Sequence, residues 1–451
     1  RRHDGGPRQP EHPRLALMSR QPSPLNRHAM TLAAFALPAL ALTVPSGYSF
    51  SALLLCALGA VAWLVGPRLG TGPRALIWLA LAMGALSVLW VWDAWLAQPF
   101  KVNALDRPVK FALIWLALPA VIWVPPPTNA LRWGVWLGAI GAAATALWQV
   151  QVIGMDRAWG HTNAIQFGNL ALLMSVWSAV WAAHTTGRLA GLAWAAAAAG
   201  LYATVASESR GGWWVAMVLC PLAWGLIRYG APSTSGVYTL ASSQTTAPKK
   251  WAVALTFAVL VSAMGTQLPR LADRTTQAWH EAQLHLSTGE STNSVGQRLA
   301  HWKLAWDMGW SRPLAGWGEQ GYQLEKARRV EAGHAPPVLL SFQHAHNEWL
   351  DMWAKHGLLG ILVLCAVYAV PGFIYARAWR RGARQANAVR DPRLTCAACG
   401  LLLVTGYVGF GMTQVMFAHN SSSIMYVFMN LLWMGALLAP KPGSTAVTST
   451  A

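Results

Sequence analysis

Residues 188–228 read RLAGLAWAAAAAGLYATVASESRGGWWVAMVLCPLAWGLIR. Two apolar runs, each about the 20 residues a helix needs to cross a bilayer core, are separated by only six polar or glycine positions, Ser207-Glu208-Ser209-Arg210-Gly211-Gly212. An isolated span must satisfy its own backbone hydrogen bonds, so both runs are expected to be helices joined by a tight corner. That corner carries a guanidinium at the hydrocarbon edge, where an ionisable group is costly and is a functional candidate by default.

The same pattern repeats along the chain. Of the 451 residues, 55% are hydrophobic and 11% are charged, well below the quarter typical of soluble domains. Hydropathy predicts twelve spans near 30–45, 48–66, 74–92, 108–124, 130–152, 164–184, 188–207, 211–228, 250–267, 357–377, 394–416 and 421–439. The 27 tryptophans include many at span ends (Trp63, Trp92, Trp123, Trp181, Trp251), where amphipathic rings suit the headgroup boundary. The expected fold is an all-α polytopic membrane protein. Its expected organisation is a leader over 1–29, spans one to nine over 30–267 with a flexible Ser/Thr/Pro-rich loop at 231–249, a helical cap over 268–356, spans ten to twelve over 357–439 and a tail over 440–451. Residues 1–14 contain no Met and read as a polar, Pro-rich leader or extension.

The net charge of +18 has an explanation other than nucleic acid. Arg20, Arg27, Arg68, Arg74, Arg132, Arg188, Arg228, Lys249, Lys250, the run from Arg377 to Arg393 and Lys441 fall in alternate connections. By the positive-inside rule these connections, and both termini, are cytoplasmic. The opposite connections are sparser or balanced: Asp93 to Arg107, Asp156 with Arg157, Glu208 with Arg210. Between 268 and 345 there are eight Lys/Arg and seven Asp/Glu, the mixture of a solvated subdomain. Within it, 270–286, 297–310 and 319–331 have helical spacing, with Leu299, Trp302 and Trp306 recurring at three and four residues. The five cysteines lie in or beside apolar runs. Cys396 and Cys399 have CxxC spacing but no companion ligands, and read as small apolar fillers one turn apart.

Three segments carry chemistry. At Arg210, the glycines Gly211 and Gly212 would let a ligand approach the backbone, and the start of the next helix favours anions. Arg298 shares a helix face with Trp302 and precedes Pro313, Gly316 and Gly318; if turned toward the membrane, it would converge with Arg210 on a pyrophosphate. His344-Ala345-His346-Asn347-Glu348 leads into the tenth span, and an imidazole there has the pKa range of a general base. His344 and His346 could also be read as a metal pair, although no third ligand or DxD motif accompanies them.

The order SRGG between two spans, then R-xxx-W with P-xx-G-x-G in a large loop, then HNxxL with G-xx-G leading into a span, resembles the O-antigen ligase and polymerase superfamily, most closely the ligases of the WaaL type. That resemblance implies an inverting, metal-independent glycosyltransferase of the GT-C class that uses no cofactor. The implied donor is a glycan on undecaprenyl pyrophosphate at the periplasmic face of the bacterial inner membrane, among membrane lipid, and the implied acceptor is a lipid A–core sugar. It also implies His346 as general base and Arg210 and Arg298 as pyrophosphate ligands. Gly211, Gly212, Trp302 and Asn347, which flank them in the motifs, are candidate substrate-binding positions. An O-antigen polymerase or a protein O-oligosaccharyltransferase would carry the same three residues. A lipid-linked glycan flippase would instead call for ionisable pairs at mid-membrane and internal repeats, and neither is evident.

Overall fold

The structure is a computed structural model, and it describes residues 21–229, 275–383 and 391–440, together with positions 265 and 273. Among the described residues all regular structure is helical, and no strand occurs. The helices are α1 (Pro24–Leu40), α2 (Gly47–Val65), α3 (Arg74–Leu96), α4 (Asp106–Trp123), α5 (Thr128–Leu147), α6 (Ala164–Ala183), α7 (Arg188–Ala206) and α8 (Arg210–Tyr229). They continue with α9 (275–288), α10 (Ser294–Ser311), α11 (Gly318–Glu331), α12 (Glu348–Ala383), α13 (Pro392–Phe410) and α14 (Asn420–Leu437).

Eight of these, α2, α3, α5 with the π-turn that extends it, α6, α7, α8, α12 and α13, are long and apolar enough to cross a membrane. The protein is therefore a polytopic membrane protein. Eleven of the twelve expected spans have a described helix at their place; the one at 250–267, apart from position 265, and the loop at 231–249 lie outside the described residues. Three of the eleven fall short by length or composition. Helix α1 has 17 residues, α4 opens with Asp106, Arg107 and Lys110, and α14 opens Asn-Ser-Ser-Ser. Helix α14 is nonetheless the axis of the bundle, because every residue from Ser421 to Ala436 is buried. A helix surrounded by other helices can tolerate polar groups that find partners. Ser422 donates to Gln166, Tyr407 Oη donates to the Ser422 carbonyl at 2.7 Å, and Tyr426 Oη donates to the Val367 carbonyl at 2.9 Å.

The cap has its own small core. Ala300, Leu304, Ala305 and Met308 of α10 pack with Tyr322, Leu339, Ala345 and Ala354. The buried stripe of α10 is thus offset from the expected Leu299–Trp302–Trp306 spacing, and Trp306 is exposed. Small residues let α10 approach α12 closely, whereas the wide indoles Trp306, Trp310 and Trp353 form an edge-to-face series beside the contact.

The glycine motifs lock cap to bundle. Gly357 interrupts α12 at φ 58°, ψ −149°, a conformation essentially confined to glycine. The kink lets Leu358 and Leu359 donate N–H bonds to the Pro313 and Leu314 carbonyls at 2.7 and 3.1 Å, while Trp317 donates to the Ala354 carbonyl at 3.1 Å. Gly316, at φ 67°, faces the Lys355–His356 peptide so closely that a Cβ would lie 2.3 Å from the Lys355 carbonyl carbon. Asp93 of α3 accepts from the Glu319 N–H at 2.9 Å. Lys355, 1% exposed at its side chain, pairs with Glu319 and Asp351 at 2.9 and 3.0 Å. Burying that ammonium is tolerable only because both carboxylates and the Gln343 carbonyl receive it.

The Cys396 and Cys399 thiols are free and buried in α13, and no disulfide occurs among the described residues.

Candidate active site

The corner between α7 and α8 is built by its serines. Ser207 Oγ donates to the Thr204 carbonyl at 2.7 Å and accepts from the Ser209 N–H at 3.3 Å. Glu208 takes a left-handed backbone, φ 50°, which turns the chain sharply and starts α8 at Arg210. That reversal presents Ser209, and Arg210 and Gly211 at the start of α8, to a cavity of about 370 Å³. A helix start exposes N–H groups with no intrahelical partner and favours anions.

Arg298 of α10 lines the same cavity from the cap side, and Asn293 and Ser294 at the start of α10 complete that wall. Asn293 caps α10 by accepting the Gly296 N–H at 2.8 Å. Glu281 of α9 lies 4.0 Å from the Arg210 guanidinium. Apart from Ile165 and Gly211, every lining residue is polar or charged. A larger groove of about 410 Å³ between α6, α7 and α8 has almost wholly apolar walls, including Trp194 and Trp224. It offers little to grip a sugar or phosphate.

A third guanidinium, Arg157, enters this cavity from the loop between α5 and α6. The loop is held on both flanks. Ala158 N–H donates to the Ala206 carbonyl at 2.8 Å. Gln149, on the π-turn Trp148–Val152, accepts from the Trp159 and Gly160 N–H groups at 2.8 and 2.9 Å and donates to the Gly160 carbonyl at 2.9 Å. π-turns recur at functional sites because they re-aim side chains without ending the helix. Three arginines therefore face Glu208 and Glu281 across one cavity. Burial, and then the charges of Arg210 and Arg157, push the pKa of Arg298 down, with Glu281 opposing. Since guanidinium stays protonated in proteins, the cavity sets three cations against two carboxylates.

His346 is not among the residues lining that cavity; it stands beside it. Its pKa is lowered by burial first and by the positive charge of Arg298 second, opposed by Gln414 and Asp351. Its imidazole is therefore held neutral, the form that takes up a proton. The backbone of His346 is left-handed, φ 54°, and Asn347 braces it. The Asn347 side chain donates to the Met412 carbonyl at 3.0 Å and accepts from the Trp349 and Leu350 N–H groups at 3.0 and 3.1 Å. The rings of His344, Phe342 and His301 surround His346 at 4.5, 5.2 and 6.3 Å between centroids. Burial drives His344 down to about 2, His301 to about 3 and His419 to about 4, so this wall is uncharged near neutral pH. Among the described residues no three His, Cys, Asp or Glu side chains are grouped so as to hold a metal ion.

Of the candidates from sequence, Arg210, Arg298 and Gly211 share the cavity and His346 adjoins it. Gly212 does not line it; a Cβ there would lie 2.9 Å from Asn169 Oδ1. Trp302 is half-buried outside the lining, and Asn347 is committed to the brace just described. Arg157, Glu281 and Gln414 escaped the sequence reading. Only the placement of Arg157 in the connection opposite the basic loops hinted at it.

Residues 195–365 match the family model described as O-antigen ligase. A relative from Haemophilus influenzae described as an uncharacterized protein is 20% identical over 395 residues, covering 85% of this chain and 92% of the relative. The family match spans Arg210, Glu281, Arg298 and His346, the segment that builds most of the site. Over that segment the chain is similar to the O-antigen ligase family.

Proposed function

We propose that this protein is an O-antigen ligase: it moves a glycan from undecaprenyl pyrophosphate to a sugar hydroxyl of lipid A–core at the periplasmic face of the inner membrane. The observation that carries the reading is the sharing of one cavity by Arg210 and Arg298, with His346 placed where the charge of Arg298 lowers its pKa. In the proposed transfer, His346 takes the acceptor hydroxyl proton. The acceptor oxygen forms a bond to the anomeric carbon from the face opposite the leaving group. The anomeric C–O bond breaks, and its electron pair leaves with the pyrophosphate. Arg210, Arg298 and Arg157 stabilise that growing charge in a site set up before the reaction begins. No protein nucleophile is required, and the configuration inverts in one displacement. The cations and base that the chemistry asks for are side chains, which makes the proposed transfer metal-independent.

The test is reconstitution in nanodiscs with undecaprenyl-pyrophosphate-linked glycan and three separate acceptors: lipid A–core, a second lipid-linked glycan, and a Ser-rich protein. Ligation to lipid A–core alone is expected. Chain extension or protein glycosylation in its place would reassign the acceptor, and movement of glycan across the bilayer without a covalent product would overturn the reading.

A further inference from the structure

Gln414, in the segment that follows α13, faces the Nδ1 of His346. The residue is 3% exposed. Its Oε1 accepts the backbone N–H of Val415 at 3.1 Å and lies 3.2 Å from His346 Nδ1. Amide oxygen and nitrogen are ordinarily interchangeable by a flip of the group. Here the Val415 N–H can only donate, so the amide atom facing it is the oxygen. An oxygen has no proton to give, so His346 Nδ1 must supply one. We propose that Gln414 is a positioning residue that holds His346 as its Nδ1–H tautomer and leaves Nε2 as the proton acceptor; this deepens, and rests on, the reading of His346 as general base.

Other groups facing His346 do not compete for that bond. Arg298 comes from α10 and can only donate. His301, also on α10, is a ring neighbour at 6.3 Å. His344 on the same loop has its Nδ1 turned to the His346 backbone N–H at 3.3 Å, and His419, ahead of α14, has its Nδ1 3.4 Å from the Asn163 amide. Asp351 of α12 is engaged by Lys355 at 3.0 Å and by the Ala345 N–H at 3.1 Å.

The amide also suits the electrostatics better than a carboxylate would. A carboxylate on Nδ1 orients the ring equally well, but it stabilises imidazolium and raises the pKa. It would also offer a fixed anion beside arginines that need to receive the pyrophosphate. Glutamine fixes the tautomer and adds no charge.

Two independent measurements test this. In [15N]histidine-labelled protein in nanodiscs, with His346 assigned by loss of its signals in His346→Asn, the imidazole shifts should report the Nδ1–H tautomer; an Nε2–H tautomer overturns the proposal. In the ligation assay, Gln414→Leu should lower kcat by about ten-fold or more with both KM values near those of the unmodified protein. Gln414→Glu should restore turnover and move the acid limb of the kcat/KM profile upward by about one pH unit or more. A native kcat in Gln414→Leu, or an unmoved limb in Gln414→Glu, overturns it as well. Should Gln414→Leu fail to fold, the spectrum and the glutamate variant still decide. Activity persisting in His346→Ala would refute the general-base reading itself, which separates that failure from a failure confined to Gln414.

Discussion

Glu281 of α9 stands 4.0 Å from the Arg210 guanidinium at the start of α8, so the cap sets a carboxylate against the cation that a membrane helix brings to the cavity. The carboxylate occupies ground that a phosphate of the donor would claim. A loose ion pair of this kind contributes about 0.5–1 kcal/mol. Glu281→Gln should therefore tighten the binding of inorganic pyrophosphate two- to five-fold by this magnitude, measured by calorimetry on protein in nanodiscs. Weaker binding would show that Glu281 orders Arg210 for its ligand instead of competing with it.

Arg210→Lys keeps the charge but loses the planar fork that meets two phosphate oxygens at once. Turnover is expected to fall at least about ten-fold. A lysine variant with near-native turnover would mean that only charge is read at this position.

Arg157 sits on a loop clamped by Gln149 and Ala206, and it points its charge where Arg298 feels it. Arg157→Ala should raise the donor KM several-fold and make binding less sensitive to salt, with the acceptor KM unchanged. Loosening the clamp with Gln149→Ala should shift the donor KM in the same direction by less. A donor KM unmoved in Arg157→Ala would remove the third arginine from the site.

As the proposed general base, His346 would act in its neutral form. Burial and Arg298 depress its pKa, so activity should stay full at neutral pH and fall only as the pH drops below the ordinary histidine value of about 6.5. The measurement is kcat/KM against pH in the ligation assay. An acid limb above that value would mean that the imidazole is stabilised as a cation. His346→Ala should lose about 100-fold or more.

Gly357→Ala puts a side chain into a backbone region reserved for glycine and toward the Pro313 carbonyl, where a Cβ would lie at 2.6 Å. The strain is about 1–3 kcal/mol. The expected result is a lower unfolding temperature and faster protease cleavage between α9 and α11, since the kink is what lets Leu358 and Leu359 bond the cap. An unchanged cleavage rate would show that cap docking survives without the kink.

Hydropathy was sufficient to locate eleven of the expected helices, eight of them long and apolar enough to cross a bilayer, because crossing is a local demand: each run must be long enough, apolar enough and internally hydrogen-bonded. Arg210 was legible for the same reason, since a guanidinium between two spans is an anomaly within six residues. His346 and Arg298 stood out as motif members. Gly316, Gly318 and Gly357 stood out too, but their purpose did not: they mate the cap with α12 and α3, a contact between segments about 40 residues apart for Gly316 and Gly357 and far more for Gly318 and Asp93.

What the sequence determined by itself is an all-helical membrane chain with a solvated cap and three conspicuous side chains. Only the tertiary structure decided that Arg157 joins Arg210 and Arg298, that Glu281 faces them, that His346 adjoins the cavity without lining it, and that Gln414 holds its imidazole. The physical reason is range. Hydrophobic length and helical period act over one or two turns, whereas the meeting of charges from the α5–α6 loop, α8, α9 and α10 depends on how packed helices bring distant loops to the same end of the bundle. An ordinary loop arginine and a glutamine beside a valine carry no local mark of where that packing will place them.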